Sequence, residues 1–181
     1  DEAASLITDI EPRMKRRRYE KGHWDAVIKG YKEIEFGGFD LLNGSLDAMS
    51  RIKKILAKEY GVMNWLPCHV IDLKEDGELT AHVDSVRFSG GIVAGLSLMS
   101  PSVMRLRPDA TPLDDKSSDV DNGHVDLYLP PLSLYVLSGV SRYEYTHELL
   151  PTNSIFQESM SREFNVTRGR RISIIFRDAK E

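Results

Sequence analysis

Leu46, Met49, Ile52, Ile55, Leu56 and Tyr60 recur at intervals of three and four along the chain. That spacing puts one apolar stripe on a helix over residues 45–60. Ser45 is placed to cap its start, Asp47 lies in its first turn and Gly61 supplies the stop. The stripe is expected to lie against a sheet. From Trp65 onward the pattern changes to short alternating or apolar runs. Their separators are Glu75-Asp76-Gly77, Gly90-Gly91, Ser100-Pro101, Pro130-Pro131 and Gly139. This predicts strands near 65–73, 79–85, 92–99, 103–107, 124–129, 133–138, 141–147 and 171–177. Residues 1–10 receive no assignment, and residues 26–36 read as a further strand or extended segment. The acidic, serine-containing stretch 108–123 is expected to be a mobile loop. Strands fed by a helical N-terminal segment predict a mainly β fold with some α: a double-stranded β-helix, or jelly roll, behind an N-terminal helical layer. One domain is expected over 1–181, with 1–64 as an extension and 65–181 as the core.

Composition narrows the picture. The chain has 181 residues, 41% of them apolar and 29% charged, as in ordinary globular proteins. No apolar run approaches the roughly 20 residues that span a bilayer. A net charge of −4 argues against a surface built for nucleic acid. Lys15 to Arg18 form the obvious basic cluster, read here as the solvated edge of a strand. Cys68 is the single cysteine, so there is no internal disulfide, and a reducing compartment and a buried thiol are expected. The sequon at Asn165 then reads as coincidence. The chain opens at Asp1 with no methionine, so a trimmed chain is expected, from which any targeting segment could have been removed.

Two His-x-Asp pairs are present, His82-Val83-Asp84 and His124-Val125-Asp126. A strand points residues i and i+2 to the same side, so each pair could offer two ligands together. A third must come from a strand alongside. In metal-binding jelly rolls the pair lies on the second strand and the distal ligand on the seventh. Strands 79–85 and 141–147 hold those places in the predicted order, and the latter ends at His147. The rival pair has no later histidine except His147 itself, and His23 and His69 read as structural. Two imidazoles and one carboxylate with open positions suit non-haem Fe(II) and an oxygenase reaction. A structural zinc site would need four ligands, commonly thiolates, though a zinc hydrolase stays formally open.

The last strand, "RRISIIFR", places Arg171, Ser173, Ile175 and Arg177 on one face and Ile172, Ile174 and Phe176 on the other. If the arginine face looks into the barrel, it needs an anion. A dicarboxylate supplies one, because guanidinium binds carboxylate through two parallel hydrogen bonds.

His-x-Asp, a distal His and Arg-x5-Arg on the last strand together resemble the AlkB-type family of Fe(II)- and 2-oxoglutarate-dependent dioxygenases, over roughly Trp65 to Arg177. The stretches "HVDSVRFSGGIVAGLSLMSPSVMRL", "LSLYVLSGVSRYEYTHE" and "RGRRISIIFR" are similar to the family's mitochondrial branch, as is "RRRYEKGHWDAVI" near the N-terminus. The resemblance implies that His82, Asp84 and His147 ligate iron. It implies that Arg171 holds the distal carboxylate of 2-oxoglutarate, helped by Tyr135 on the neighbouring strand. Arg177 would lie nearer the chelating end, with Ser173 on the same face. The family's Asn-x-Tyr is replaced here by Ile71 and Leu73, so Tyr135 is the candidate for the lost hydroxyl.

Fe(II), 2-oxoglutarate and O2 are thereby implied, with hydroxylation of a substrate C–H bond, or loss of formaldehyde where that carbon is an N-methyl group. The competing class is a non-catalytic metal-binding module. The resemblance also implies a mitochondrial matrix location and links to fatty-acid metabolism and programmed necrosis. The helix over 45–60 runs almost directly into Trp65, leaving little room for a nucleotide-recognition lid. With the net charge, this argues against duplex DNA and for a protein substrate, N-methylated bases in RNA being the alternative. A monomer without a membrane span is expected.

Overall fold

The computed structural model of the chain describes residues 2–23, 25–36, 46–109 and 123–180. In chain order the elements are α1 (Glu2–Met14), β1 (Ile28–Phe36), α2 (Leu46–Tyr60), β2 (Cys68–His82), β3 (Ile92–Leu98), β4 (Ser102–Pro108) and β5 (Val125–Leu129). They continue with β6 (Leu134–Ser138), α3 (Val140–Tyr143), β7 (Tyr145–Leu149), β8 (Ser154–Ser159), β9 (Arg162–Val166) and β10 (Arg171–Arg177). The main sheet runs β5-β4-β7-β2-β10-β3-β6, with β1 also paired to β2, and β8 and β9 form a separate hairpin. All its pairings are antiparallel. The curled sheet and its helical layer are the predicted jelly-roll class.

Both faces of β10 are buried, which explains its near-continuous apolar run. Ile172, Ile174 and Phe176 join one core cluster with Leu6, Ile10 and Met14 of α1 and Met49, Ile52 and Leu56 of α2. The helices therefore cover one side of the sheet. Complete burial of such side chains contributes about 1.5–3 kcal/mol each. Tyr31, Leu73, Met104, Leu106, Leu149 and Ile175 belong to a second cluster on the other side. The stripe on α2 is narrower than its spacing suggested, because Ile55 and Tyr60 are largely exposed. Gly61 (φ 70°) ends the helix in the left-handed region and donates its N–H to the Ala57 carbonyl. Ser45 and residues 110–122 of the expected mobile loop lie outside the described residues.

Several expectations need correction. The strands near 65–73 and 79–85 are one strand, β2, and Glu75-Asp76-Gly77 is not a turn between them. Leu73 pairs with Tyr31 while Glu78 pairs with Lys29, so the intervening residues bulge out of the ladder. Gly30 (φ 65°) and Gly77 make the bulge possible: a Cβ on Gly77 would meet the Gly30 carbonyl at 3.0 Å. Arg168 closes it by donating to the carbonyls of Lys74 (3.0 Å) and Gly77 (2.6 Å).

Residues 2–10, left unassigned, belong to α1, which runs on to Met14 and whose buried positions recur every four residues. Lys15 to Arg18 are exposed, but they follow that helix in a turn rather than edging a strand. The strand expected over 141–147 starts later, because Ser141 folds its hydroxyl onto the Ser138 backbone and α3 intervenes. The β8–β9 hairpin was not predicted at all. Among the described residues no helix is long and apolar enough to cross a membrane.

Candidate active site

The bulged strand β2 changes partners along its length. Its first half pairs with β10, and its end pairs with β7, where His82 lies directly opposite His147. The two rings stand 4.2 Å apart between centroids. Asp84 follows just beyond the strand end rather than within the strand, as its alternation had suggested. Its Oδ1 is 3.8 Å from His82 Nε2. One ligand atom from each of His82, Asp84 and His147 lies within 4.8 Å of the others. His82 Nδ1 contacts the Thr80 carbonyl at 2.8 Å. A carbonyl only accepts, so Nδ1 carries the proton and the Nε2 lone pair is left for the site.

The electrostatics suit a cation. Burial pushes the Asp84 carboxyl up, but Arg177, both histidines and Arg142 outweigh it and hold the group below its ordinary range. His147 is pushed down to about 4, first by burial and then by His82, so its imidazole is neutral at physiological pH. Two imidazole nitrogens and a carboxylate make a donor set that fits Fe(II).

The same cavity, about 60 Å³, contains every predicted site residue: His82, Asp84, Tyr135, His147, Arg171, Ser173 and Arg177. A single buried water needs on the order of 10–15 Å³ on the same measure, so a small molecule fits. Arg177 Nη2 lies 3.5 Å from Asp84 Oδ1. Arg171 is 3% exposed, donates from Nε to Ser97 Oγ at 2.9 Å, and leaves Nη2 without a partner. Burial lowers its pKa and the Tyr135 hydroxyl opposes that shift. No carboxylate pairs with it among the described residues. A buried guanidinium with a free N–H in a cavity is the receptor that one end of a dicarboxylate requires. The remaining walls are aliphatic, including Ile28, Ile71, Leu73, Leu79, Met104 and Leu149.

Tyr135 is not on the strand next to β10, as expected. It lies on β6, with β3 between the two. Gly95 of β3 pairs with Tyr135 on one side and Ile175 on the other. A Cβ at Gly95 would overlap the Tyr135 ring and hydroxyl, so the glycine lets tyrosine lie across β3. β10 and β7 are separated in the sheet by β2. Sequence reasoning missed Gly95, although an isolated glycine inside an apolar strand was a signal for close approach.

The other histidines lie elsewhere. Asp126 is held by Arg105 through contacts of 2.7 and 2.8 Å, and His124 Nε2 is 3.7 Å from it. His69 pairs with Glu33 and Glu35, and His23 with Asp25.

A chain with this curled sheet, a His-Asp-His cluster and a facing buried arginine has the architecture of an oxygenase. The sequence profile of the 2OG-Fe(II) oxygenase superfamily matches residues 16–177, and the chain belongs to that superfamily. It is 40% identical over 184 residues to "Alpha-ketoglutarate-dependent dioxygenase alkB homolog 7, mitochondrial" of Mus musculus, covering 100% of this chain and 75% of the relative. Its identity to the Bos taurus protein of the same name is 38% over 182 residues, covering 99% and 74%. Among solved structures it resembles a Pseudomonas putida prolyl-4-hydroxylase, with TM-score 0.58 and 15% identity over 100% of this chain and 87% of the other. The structure of OsALKBH1 aligns with TM-score 0.55 and 17% identity over 98% and 92%. These two show the shared fold. The chain is thus a 2OG-Fe(II) dioxygenase of the alkB homolog 7 type, whose class uses Fe(II), 2-oxoglutarate and O2.

Proposed function

We propose that His82, Asp84 and His147 hold Fe(II), and that Arg171 receives the distal carboxylate of 2-oxoglutarate beside Tyr135. The observation that carries this reading is one cavity holding both the metal-spaced cluster and a buried guanidinium with a free Nη2. Arg177 steadies the Asp84 carboxylate from the metal side, and Ser173 lines the wall between the two arginines. When bound, the group couples oxidative decarboxylation of 2-oxoglutarate to succinate and CO2 with hydroxylation of a substrate C–H bond. This chain's own residues orient those reactants, and the aliphatic walls keep bulk water from them.

The substrate we favour is a protein side chain. Apart from the two histidines, Tyr135 supplies the only ring in the cavity wall among the described residues, and it is committed to Arg171. A flipped base is gripped by stacking as well as hydrogen bonds, and such walls offer little of that. One observation favours demethylation of N-methylated RNA bases as the second reading: Phe88 is 69% exposed beside Arg87, shortly after Asp84, a pairing suited to stacking. The mitochondrial matrix is the proposed setting, because both relatives are named mitochondrial. Ties to fatty-acid metabolism and programmed necrosis rest on resemblance alone. We further read residues 1–181 as a single, monomeric dioxygenase domain. Fe(II)-dependent succinate formation tests the enzyme. Mass spectrometry of mitochondrial proteins and RNAs, with active and His82→Ala enzyme, tests the substrate. Methyl marks accumulating on RNA with no change in protein hydroxylation would reverse our preference.

A further inference from the structure

His82 and His147 are fixed by the ladder, as opposed residues of β2 and β7. Asp84 has no such support, because β2 ends at His82 and residues 83–85 belong to no helix or strand. What grips this loop is another buried arginine. Arg142 of α3 is 1% exposed. Its Nη1 donates to the Asp84 carbonyl at 2.9 Å, and its Nη2 donates to Ser89 Oγ at 2.8 Å and the Ser85 carbonyl at 3.3 Å. Ser89 in turn donates to the Ser85 carbonyl at 3.2 Å.

No carboxylate pairs with Arg142 among the described residues. A desolvated cation is thus directed at backbone carbonyls, an arrangement that is costly unless its hydrogen bonds hold. The planar fork of guanidinium reaches several acceptors in one fixed geometry, which an ammonium group does not. Arg142 also sits in α3, directly ahead of β7 and His147. One side chain therefore ties the loop of Asp84 to the segment that carries His147. Arg177 meets Asp84 at its carboxylate, and Arg142 meets it at its backbone.

We propose that Arg142 is a positioning residue for the metal site, holding Asp84 in register with His82 and His147. This rests on the reading of those three side chains as ligands. Arg142 does not line the cavity; apart from its charge near the Asp84 carboxyl, it acts through the loop.

The experiment is Co(II) titration of the full metal-free chain, followed by visible absorption, in a double-mutant cycle of Arg142→Met and Asp84→Ala. Arg142→Met alone should weaken Co(II) binding by about 10–100-fold, the usual effect of removing a support behind a ligand. Arg142→Lys, which keeps the charge and part of the hydrogen bonding, should recover some of that loss. In the Asp84→Ala background, Arg142→Met should have no further effect, because the ligand it positions is gone. An equal loss in both backgrounds would overturn the proposal, since Arg142 would then support the fold generally. Failure of both Arg142 variants to fold would overturn it in the same way. Unchanged Co(II) affinity in Asp84→Ala alone would instead remove the ligand reading on which it stands.

Discussion

His82 and His147 face each other across the β2–β7 ladder, with ring centroids 4.2 Å apart. The backbone hydrogen bonds that define the sheet thus also set the separation of two nitrogen donors. A metal bound here joins two strands far apart in sequence, and the unfolded chain has no such site. At a free metal concentration 100 times Kd, binding stabilises the fold by about 2.7 kcal/mol. For a chain of this length that raises Tm by about 5–10 °C. Thermal melts with and without Mn(II) should show this shift, and His147→Ala should abolish it. An identical shift in the variant would place the metal elsewhere.

Arg171 gives a prediction with two opposite arms. Its guanidinium is buried with only hydroxyl partners and an unsatisfied Nη2. A buried cation with no anionic partner carries a desolvation cost that an apolar side chain avoids. Arg171→Met should therefore leave the cosubstrate-free protein as stable as before, or more so. It should weaken 2-oxoglutarate binding by about 2–5 kcal/mol, the cost of losing a buried charge contact. Calorimetric binding and melting curves on the same samples separate the two effects. An unchanged 2-oxoglutarate Kd would sink the anchor.

Gly95 and Tyr135 test the same receptor from the other side of β3. Gly95→Ala puts a methyl group where the Tyr135 ring now lies. Overpacking of this kind costs about 1–3 kcal/mol, and here it also pushes the hydroxyl away from Arg171. Both stability and 2-oxoglutarate affinity should fall. Tyr135→Phe keeps the ring and loses only the hydroxyl, so it should reproduce the affinity loss without the packing loss. Equal melting losses in the two variants would contradict this geometry.

How much of this was legible follows from range. The two faces of β10 are written in a period of two, so Arg171, Ser173, Ile175 and Arg177 could be grouped from sequence. The pairing of His82 with His147 followed from a topological rule about which strands adjoin. The bulge in β2 could not be seen, because Glu75-Asp76-Gly77 has turn chemistry and its true partner, Gly30, lies on another strand. Arg142 and Arg168 were invisible for a related reason. Their acceptors are backbone carbonyls of distant segments, which leave no mark on side-chain pattern. The β8–β9 hairpin escaped because its exposed, polar positions resemble loop.

Cys68 links burial to pH. Burial pushes its thiol up to about 12 from an ordinary 9.0. The folded state therefore keeps the proton where the unfolded chain releases it. That contribution to stability is fully present below pH 9 and is lost as pH rises toward 12. Reaction with a thiol reagent follows the thiolate and its exposure. Labelling at pH 8 should be slow in the folded protein and complete within minutes in denaturant. Rapid labelling of the native chain would show that β2 opens locally at its start.

The ion pair behind the cavity gives the sharpest stability test. Asp72 is fully buried on β2, where Arg170 donates to it from Nε at 2.9 Å and from Nη2 at 2.8 Å, and Tyr19 adds its hydroxyl at 3.1 Å. Arg170 continues to Glu11 of α1 at 2.6 Å. Breaking a buried pair by removing one partner costs about 3–5 kcal/mol, because the other charge is stranded. The two partners are not equivalent here. The Arg170 side chain is 33% exposed and can turn to water, whereas Asp72 has no such route. Arg170→Met should therefore destabilise more than Asp72→Leu. The double variant should recover much of the loss, since no buried charge is then left alone. Urea unfolding with an unchanged m-value measures all three. Equal costs for the two single variants, adding without recovery in the double, would mean that the pair contributes nothing beyond packing.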